Sequence, residues 1–178
     1  MKILFALITL TCLSSALAAP LALKDIVIQG GGTIQTADRD GLLISQANTV
    51  PFAYTLTAVG APHSPIQGLT LETRRAVFTD LERSQVERVL DAVVQQCLGA
   101  SHRDLQAFNL WLKDNNTVTG SGPKVIGPLA VDFTRLLDPD TFENVLVIRL
   151  TRTPQKGPSP CIYEPDPAPV HGWIFSGR

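Results

Sequence analysis

Apolar residues between positions 80 and 98 recur at the spacing of an amphipathic α-helix, with polar and charged residues on the opposite side. Thr79, followed by Glu82 three residues later, has the pattern of a capping box at the helix start. Gly99 is a typical residue just beyond a helix end. The pattern therefore predicts one long helix over Asp80–Leu98. Its apolar positions are Val86, Val89, Leu90, Val93, Val94 and Cys97.

The other apolar segments are short and rich in alternating or β-branched residues, which is typical of strands. One of them, Val145–Ile148, has no polar break and is typical of a strand buried on both faces. Together these segments predict an α+β fold, in which a mostly antiparallel β-sheet packs against one long amphipathic helix. The strand order stays open. The predicted strands are Lys24–Gln29, Leu42–Val50, Phe52–Val59, Leu69–Phe78, Leu105–Lys113, Lys124–Phe133, Glu143–Arg152 and a last one at His171–Phe175.

The first eighteen residues have the organisation of a secretory signal peptide. Lys2 is a short positive region, Ile3–Leu10 is almost entirely apolar, and Ala16–Ala18 has the small-x-small pattern of a cleavage site. A membrane anchor is disfavoured, because the apolar run is shorter than the roughly 20 residues of a bilayer span. We therefore expect cleavage after Ala18 and a secreted, extracellular single domain over 19–178.

Cleavage would leave two cysteines, Cys97 and Cys161. In an oxidising compartment they are expected to form one disulfide bond, and two buried free thiols are the alternative. Cys161 lies in a proline-rich segment, 153–169, which predicts an extended surface stretch that the bridge would hold down. Asn115 begins an Asn-Asn-Thr sequon in a polar run and is a candidate glycosylation site.

Composition and charge exclude several classes of protein. Hydrophobic residues make up 44 % and charged residues 17 % of the chain, and 15 basic residues nearly balance 16 acidic ones. This is the composition of a globular domain rather than of a disordered chain, a coiled coil or a protein that binds nucleic acid through bulk charge. The polar side of the predicted helix is mixed in charge, which disfavours a role at a membrane surface.

Known catalytic and cofactor-binding motifs have no counterpart in the sequence. The glycine run at 30–32 is not followed by the Gly-Lys-Ser/Thr of a phosphate-binding loop, and there is no Gly-x-Ser-x-Gly elbow. His63, His102 and His171 are far apart along the chain, whereas a zinc site needs three or four ligands in close spacing. We therefore expect neither a metal nor a cofactor.

General acid–base chemistry of the secreted ribonuclease or glycosidase type is the remaining enzymatic hypothesis. It would use His102 and His171 as acid and base, with Glu143 or Arg149 nearby. The alternative is that His102 is a loop residue after the helix and His171 a surface residue before the last strand. We expect a protein that is not an enzyme, and keep this small hydrolase as the alternative.

The chain resembles the small secreted effector-type proteins of plant-associated fungi. The resemblance rests on four features: the leader, the small size of the expected mature protein, the Cys97/Cys161 pair and the lack of catalytic signatures. It covers the whole chain but includes no family motif. It implies a protein released during colonisation that binds a host protein and suppresses defence, outside host cells or after entry into them. We expect a monomer, with neither nucleic acid nor a membrane as partner.

Three aromatic residues near the C-terminus are candidates for contact with a partner: Tyr163, Trp173 and Phe175. Extended proline segments present side chains at low entropic cost, and aromatic residues are frequent interface hot spots. The alternative is that Trp173 and Phe175 belong to the core. A carbohydrate- or wall-binding module, a third possibility, would need an exposed row of aromatic residues, and aromatics make up only 6 % of the chain.

Overall fold

A computed structural model describes residues 19–39, 41–46, 52–117, 122–154 and 157–166 of the chain. The leader and the last twelve residues, 167–178, lie outside the described residues. The predicted signal peptide, the last strand at His171–Phe175, and the candidates His171, Trp173 and Phe175 therefore stay predictions.

The described chain contains three helices and two sheets. In chain order its elements are β1 (Leu21–Ala22), α1 (Leu23–Gln29), β2 (Thr33–Asp38), β3 (Gly41–Gln46), β4 (Phe52–Val59), β5 (Gly68–Thr73), α2 (Asp80–Gln96), α3 (His102–Asn115), β6 (Lys124–Ile126), β7 (Leu129–Leu137), β8 (Asn144–Arg152) and β9 (Cys161–Ile162). Seven strands form one antiparallel sheet in the order β2-β3-β4-β5-β8-β7-β6, and β1 pairs with β9 in parallel. The predicted α+β class with a mostly antiparallel sheet is confirmed.

One face of the large sheet packs against the helices. Along β4, Phe52, Tyr54 and Leu56 are buried, while the residues between them are exposed or half-buried. On β7, the ring of Phe133 lies 6.1 Å from that of Trp111 on α3, which places this helix over the buried face. Residues that alternate with these point to the other face of the sheet. Polar groups on the two faces are therefore kept apart by the sheet itself.

The start of α2 and the burial of β8 agree with the predictions. Glu82 N donates to the hydroxyl of Thr79, and Thr79 N donates to the carboxylate of Glu82 at 2.8 Å, which completes the capping box. The helix ends two residues before the predicted end, and Gly99, with φ of +75°, turns the chain after it. Val145–Ile148 are all buried as predicted, whereas Arg149 and Thr151, on the face away from the helices, are exposed.

The predicted strand at Lys24–Gln29 is wrong, because this segment forms α1. Its apolar residues at helical spacing are buried, while Ile28 points outward and is exposed. A Cβ added at Gly30 would lie 2.7 Å from the Cα of Val89, so the end of α1 sits directly on α2. This packing overrides the β propensity of the Ile-Val-Ile run.

The predicted strand at Leu105–Lys113 is also wrong, because the segment belongs to α3. Ser101 and Asp104 form a second capping box, in which Ser101 N donates to the carboxylate of Asp104 at 2.8 Å. The sheet therefore packs against three helices rather than one long helix. The buried residues of α3 are Leu105, Phe108, Trp111 and Leu112.

The boundaries of three predicted strands differ from the observed ones. The segment Leu69–Phe78 is a strand only as far as the end of β5. The segment Lys124–Phe133 is divided into β6 and β7 by a turn at Gly127 and Pro128, where Gly127 has φ of +54° and Pro128 has no N–H to donate. The segment Leu42–Val50 corresponds to β3, and positions 47–50 lie outside the described residues.

The predicted disulfide bond between Cys97 and Cys161 is confirmed, with the two Cα atoms 5.1 Å apart. It joins the C-terminal end of α2 to β9. The hydroxyl of Ser159 donates to the carbonyl of Cys97 at 2.8 Å and accepts from the N–H of Cys161 at 3.0 Å. The bridge and this buried serine together attach the described part of the proline-rich segment to the domain.

Candidate functional site

The structure places the predicted catalytic residues in different parts of the molecule. His102 is the first residue of α3, exposed, with its Nε2 3.2 Å from the side-chain nitrogen of Gln106. Glu143 lies just before β8 and pairs with Arg74 at 3.1 Å. Arg149 lies within β8 and pairs with Asp132 at 3.4 Å.

These three residues are not brought together. Glu143 and Arg149 are six residues apart along an extended strand, which separates them by about 20 Å. Ile148 pairs with Phe133 on the face covered by α3, so Arg149 points to the opposite face of the sheet. His102, on α3, lies on the helix side. The described members of the predicted catalytic set therefore cannot share one substrate atom.

Tyr163, predicted to contact a partner, is buried instead of presented at the surface. The residue is 6 % exposed, and its hydroxyl donates to the carbonyl oxygens of Asp38 and Gly41. The second of these contacts measures 3.0 Å. Tyr163 therefore attaches the end of the proline-rich segment to the turn between β2 and β3.

Asn115, the candidate glycosylation site, is the last residue of α3. Its side-chain Nδ2 donates to the carbonyl of Trp111 at 2.8 Å, and its own carbonyl accepts from Arg135 at 2.6 Å. The residue is half-buried. Glycosylation there stays a prediction, and it would require the side chain to leave its contact with Trp111.

The turn between β7 and β8 combines an exposed aromatic residue with a left-handed backbone. The two strands are nine residues long, and their pairing ends at Leu137 and Asn144. Asp138 N donates to the carbonyl of Glu143 at 2.9 Å, and Phe142 N donates to the carbonyl of Asp138 at 2.8 Å. The turn is therefore closed by backbone hydrogen bonds at its base.

The carboxylate of Asp138 organises the inside of this turn. It accepts from the backbone N–H of Asp140 at 2.9 Å and from that of Thr141 at 3.3 Å. These N–H groups hold the pKa of the Asp138 carboxyl below its usual range. Asp138 is therefore ionised at any pH near neutrality, and the turn keeps its shape there.

Phe142 has a left-handed backbone, with φ of +54°, and its side chain is 76 % exposed. That conformation is rare for a bulky residue and costs about 1–2 kcal/mol. Leu136 and Leu137, at the end of β7, are 49 % and 59 % exposed. We call these three residues, Leu136, Leu137 and Phe142, the apolar tip, although the adjacent Leu136 and Leu137 point to opposite faces of β7 and Phe142 is its exposed aromatic member.

Negative charge surrounds the apolar tip. Asp138, Asp140 and Glu143 lie in or beside the turn, and of these Glu143 is paired with Arg74. Phe142 can therefore make apolar contact with a partner, and the acidic groups beside it can make favourable electrostatic contact with basic groups of that partner.

The apolar tip was not predicted from the sequence. Two signals were present: two leucines directly before the turn, and a phenylalanine where a polar turn residue is usual. The backbone conformation of Phe142 and the exposure of its ring have no signature in a single sequence.

Two grooves in the described surface differ in chemistry from the apolar tip. One, of about 630 Å³, lies beside the proline-rich segment, and Arg152 supplies the only ionisable side chain among its described lining residues. The other, of about 460 Å³, holds Lys124, Asp132 and Arg149. Of the described residues predicted as catalytic, only Arg149 lines either groove.

Within the described residues, no group of three or more His, Cys, Asp or Glu side chains is arranged to hold a metal ion. None of the described helices is long and apolar enough to cross a membrane. The chain matches no protein-family model, no curated protein and no solved structure.

Proposed function

We propose that this protein is a secreted, non-enzymatic interaction protein that binds a host protein, and that the apolar tip is its contact surface. The observation that carries the proposal is Phe142, which is held in a left-handed backbone and is 76 % exposed. Strained backbone persists where the surrounding structure holds it, and it clusters at functional sites. An exposed aromatic ring is a frequent hot spot of protein interfaces.

Secretion is supported by the leader pattern in the sequence and by the Cys97–Cys161 disulfide bond, since such bonds persist mainly in oxidising compartments. Suppression of host defence is the role that the resemblance to fungal effector-type proteins implies. We propose it as the consequence of the binding event rather than as a separate activity.

The charges beside the apolar tip define the kind of host protein surface it would bind. Asp138, Asp140 and Glu143 make the turn acidic, and Arg74, which pairs with Glu143 and also acts on Asp138, compensates part of this negative charge. A partner with an apolar pocket and a basic rim matches this pattern. Such complementary charge speeds association and fixes the orientation of the two proteins relative to each other.

Photo-crosslinking tests the proposal at the level of single residues. Phe142 is replaced by the photoreactive p-benzoylphenylalanine, and the oxidised protein from Ala19 onward is irradiated in extracellular fluid and in cytosolic extract of plant tissue. Leu110, an isolated exposed apolar residue on α3, carries the same group in the control protein. We expect a cross-linked host protein from position 142 that is absent from position 110 and is competed by excess unlabelled protein. Identical cross-links from both positions would contradict the proposal.

Substituting Phe142 with glycine is expected to raise stability and abolish the position-specific binding. Glycine adopts positive φ without strain, so the free energy of unfolding should rise by about 0.5–1 kcal/mol after the entropy of the unfolded chain is counted. The measurement is denaturant unfolding together with competition in the cross-linking assay. Phe142→Ala is the matched control, because it removes the ring but keeps the strained backbone. A Phe142→Gly protein that is less stable than wild type would mean that the ring stabilises the fold.

A further inference from the structure

The contact between α2 and α3 contains a half-buried carboxyl group whose hydrogen bonding is incomplete. Nδ2 of Asn109, on α3, donates to Oδ2 of Asp91, on α2, at 3.1 Å. The remaining oxygen of each side chain, Oδ1 of Asp91 and Oδ1 of Asn109, is buried and has no hydrogen-bond partner in the described part of the chain. The same two side chains therefore share one hydrogen bond and retain one unsatisfied acceptor each.

A proton on Asp91 would supply the missing donor. A carboxylate can only accept hydrogen bonds, whereas a carboxylic acid has an O–H to donate, and an amide oxygen such as Asn109 Oδ1 accepts it. A carboxylic acid and a primary amide can then pair through two parallel hydrogen bonds. A buried acceptor without a partner is destabilising, so the second bond should be favourable.

The charges around Asp91 also favour its protonation. Burial is the largest cause that raises the pKa of this carboxyl, and the charge of Glu87, one turn earlier on α2, adds to it. The hydrogen bond from Asn109 and the charge of His102, at the start of α3, act in the opposite direction but do not cancel the effect. The charged groups that act on Asp91 thus come from both packed helices.

We propose that Asp91 and Asn109 form a proton-dependent latch between α2 and α3. In acid, Asp91 takes a proton from solvent and donates it in a hydrogen bond to Asn109 Oδ1, while Asn109 Nδ2 keeps its bond to Asp91 Oδ2. At higher pH the proton returns to solvent, and one hydrogen bond with a half-buried charge remains. The helix pair is then held less tightly.

The direction of the pH effect follows from linkage. A carboxyl whose pKa is higher in the folded than in the unfolded chain binds more protons when folded, so its contribution to stability is complete below the unfolded pKa of about 4. The contribution is lost as pH rises through the folded pKa. The latch therefore makes α2 and α3 most tightly joined in an acidic medium, whatever partner the apolar tip binds.

The test compares thermal unfolding of wild type, Asp91→Asn and Asp80→Asn between pH 4 and pH 7.5. Asparagine at 91 provides a permanent donor for Asn109 Oδ1, so this protein should match wild type near pH 4 and unfold about 2–4 °C higher near pH 7. Asp80, whose side chain is fully exposed on the same helix and pairs with Arg83 at 3.3 Å, is the control for loss of a charge, and its substitution should lower stability toward pH 7, opposite in sign to Asp91→Asn. A constant or negative difference for Asp91→Asn would overturn the proposal.

Titration of wild type by carboxyl carbon NMR gives a second measurement that needs no variant. The latch predicts that Asp91 titrates above its ordinary pKa, and that amide hydrogen exchange of α3, corrected for its intrinsic pH dependence, slows on protonation of Asp91. Titration of Asp91 at or below its ordinary pKa would overturn the proposal. So would a corrected amide hydrogen-exchange rate of α3 that does not change as Asp91 titrates.

Discussion

Replacing Cys97 and Cys161 together with alanine is expected to lower the free energy of unfolding by about 4 kcal/mol. The two residues are 64 positions apart, and the bridge removes the entropy of that loop from the unfolded chain. Single domains have a total stability of only about 5–15 kcal/mol, so the variant should be close to the limit of folding. Both cysteines are fully buried, so native packing is also disturbed.

Guanidinium unfolding with and without reductant checks this prediction on the protein from Ala19 onward. Reduced wild type should approach the alanine variant, and the variant itself should not respond to reductant. The Ser159→Ala protein is a useful companion, because it removes the hydroxyl that hydrogen-bonds to the backbone of both cysteines but leaves the disulfide bond intact. If the double variant loses less than about 1 kcal/mol, the unfolded chain is already compact in this region.

The features predicted correctly are those with a strong local or chemical cause. The capping residues Thr79 and Glu82 start α2 through contacts only three positions apart. The bridge between Cys97 and Cys161 was predicted because these are the two cysteines that lie outside the predicted signal peptide. The unbroken apolar run Val145–Ile148 in β8 predicted the burial of these four residues. Each of these features depends on information that lies within one segment or one residue pair.

The features missed depend on contacts between distant segments. The helix α1 forms because its end packs on α2 at Gly30 and Val89, and nothing within its own seven residues indicates that partner. The apolar tip depends on the conformation of Phe142, which is imposed by the hydrogen bonds that close the turn around Asp138. The pairing of Asp91 with Asn109 needs α2 and α3 to lie side by side, and one of these helices was predicted as a strand.

The segment of α3 shows how one periodicity can be mistaken for another. Phe108, Leu110 and Leu112 alternate with other residues, which is the pattern of a strand with one apolar face. The helical pattern is also present, since Ser101 and Asp104 form a capping box before it. Leu110 fits the apolar face of a strand but not the apolar face of the helix. The burial or exposure of its side chain therefore distinguishes the two structures.

Substituting Leu112 with alanine is therefore expected to lower the free energy of unfolding by about 2–5 kcal/mol, and substituting Leu110 to change it by less than about 0.5 kcal/mol. Leu112 is 0 % exposed and belongs to the core, whereas Leu110 is 63 % exposed. In a strand the two side chains would share one face and the two substitutions would have similar effects. In the helix they lie two positions apart, on opposite sides.

The pair is informative because both substitutions remove the same atoms and change intrinsic helix propensity equally. Any difference between them therefore measures the environment of the two side chains rather than the chemistry of the change. Denaturant unfolding of both proteins, with unchanged dependence of stability on denaturant, gives that difference directly. Equal losses of stability would contradict the helix and indicate a strand with Leu110 and Leu112 on one face. The contact between Asn109 and Asp91, which depends on α3 being a helix, would then also be wrong.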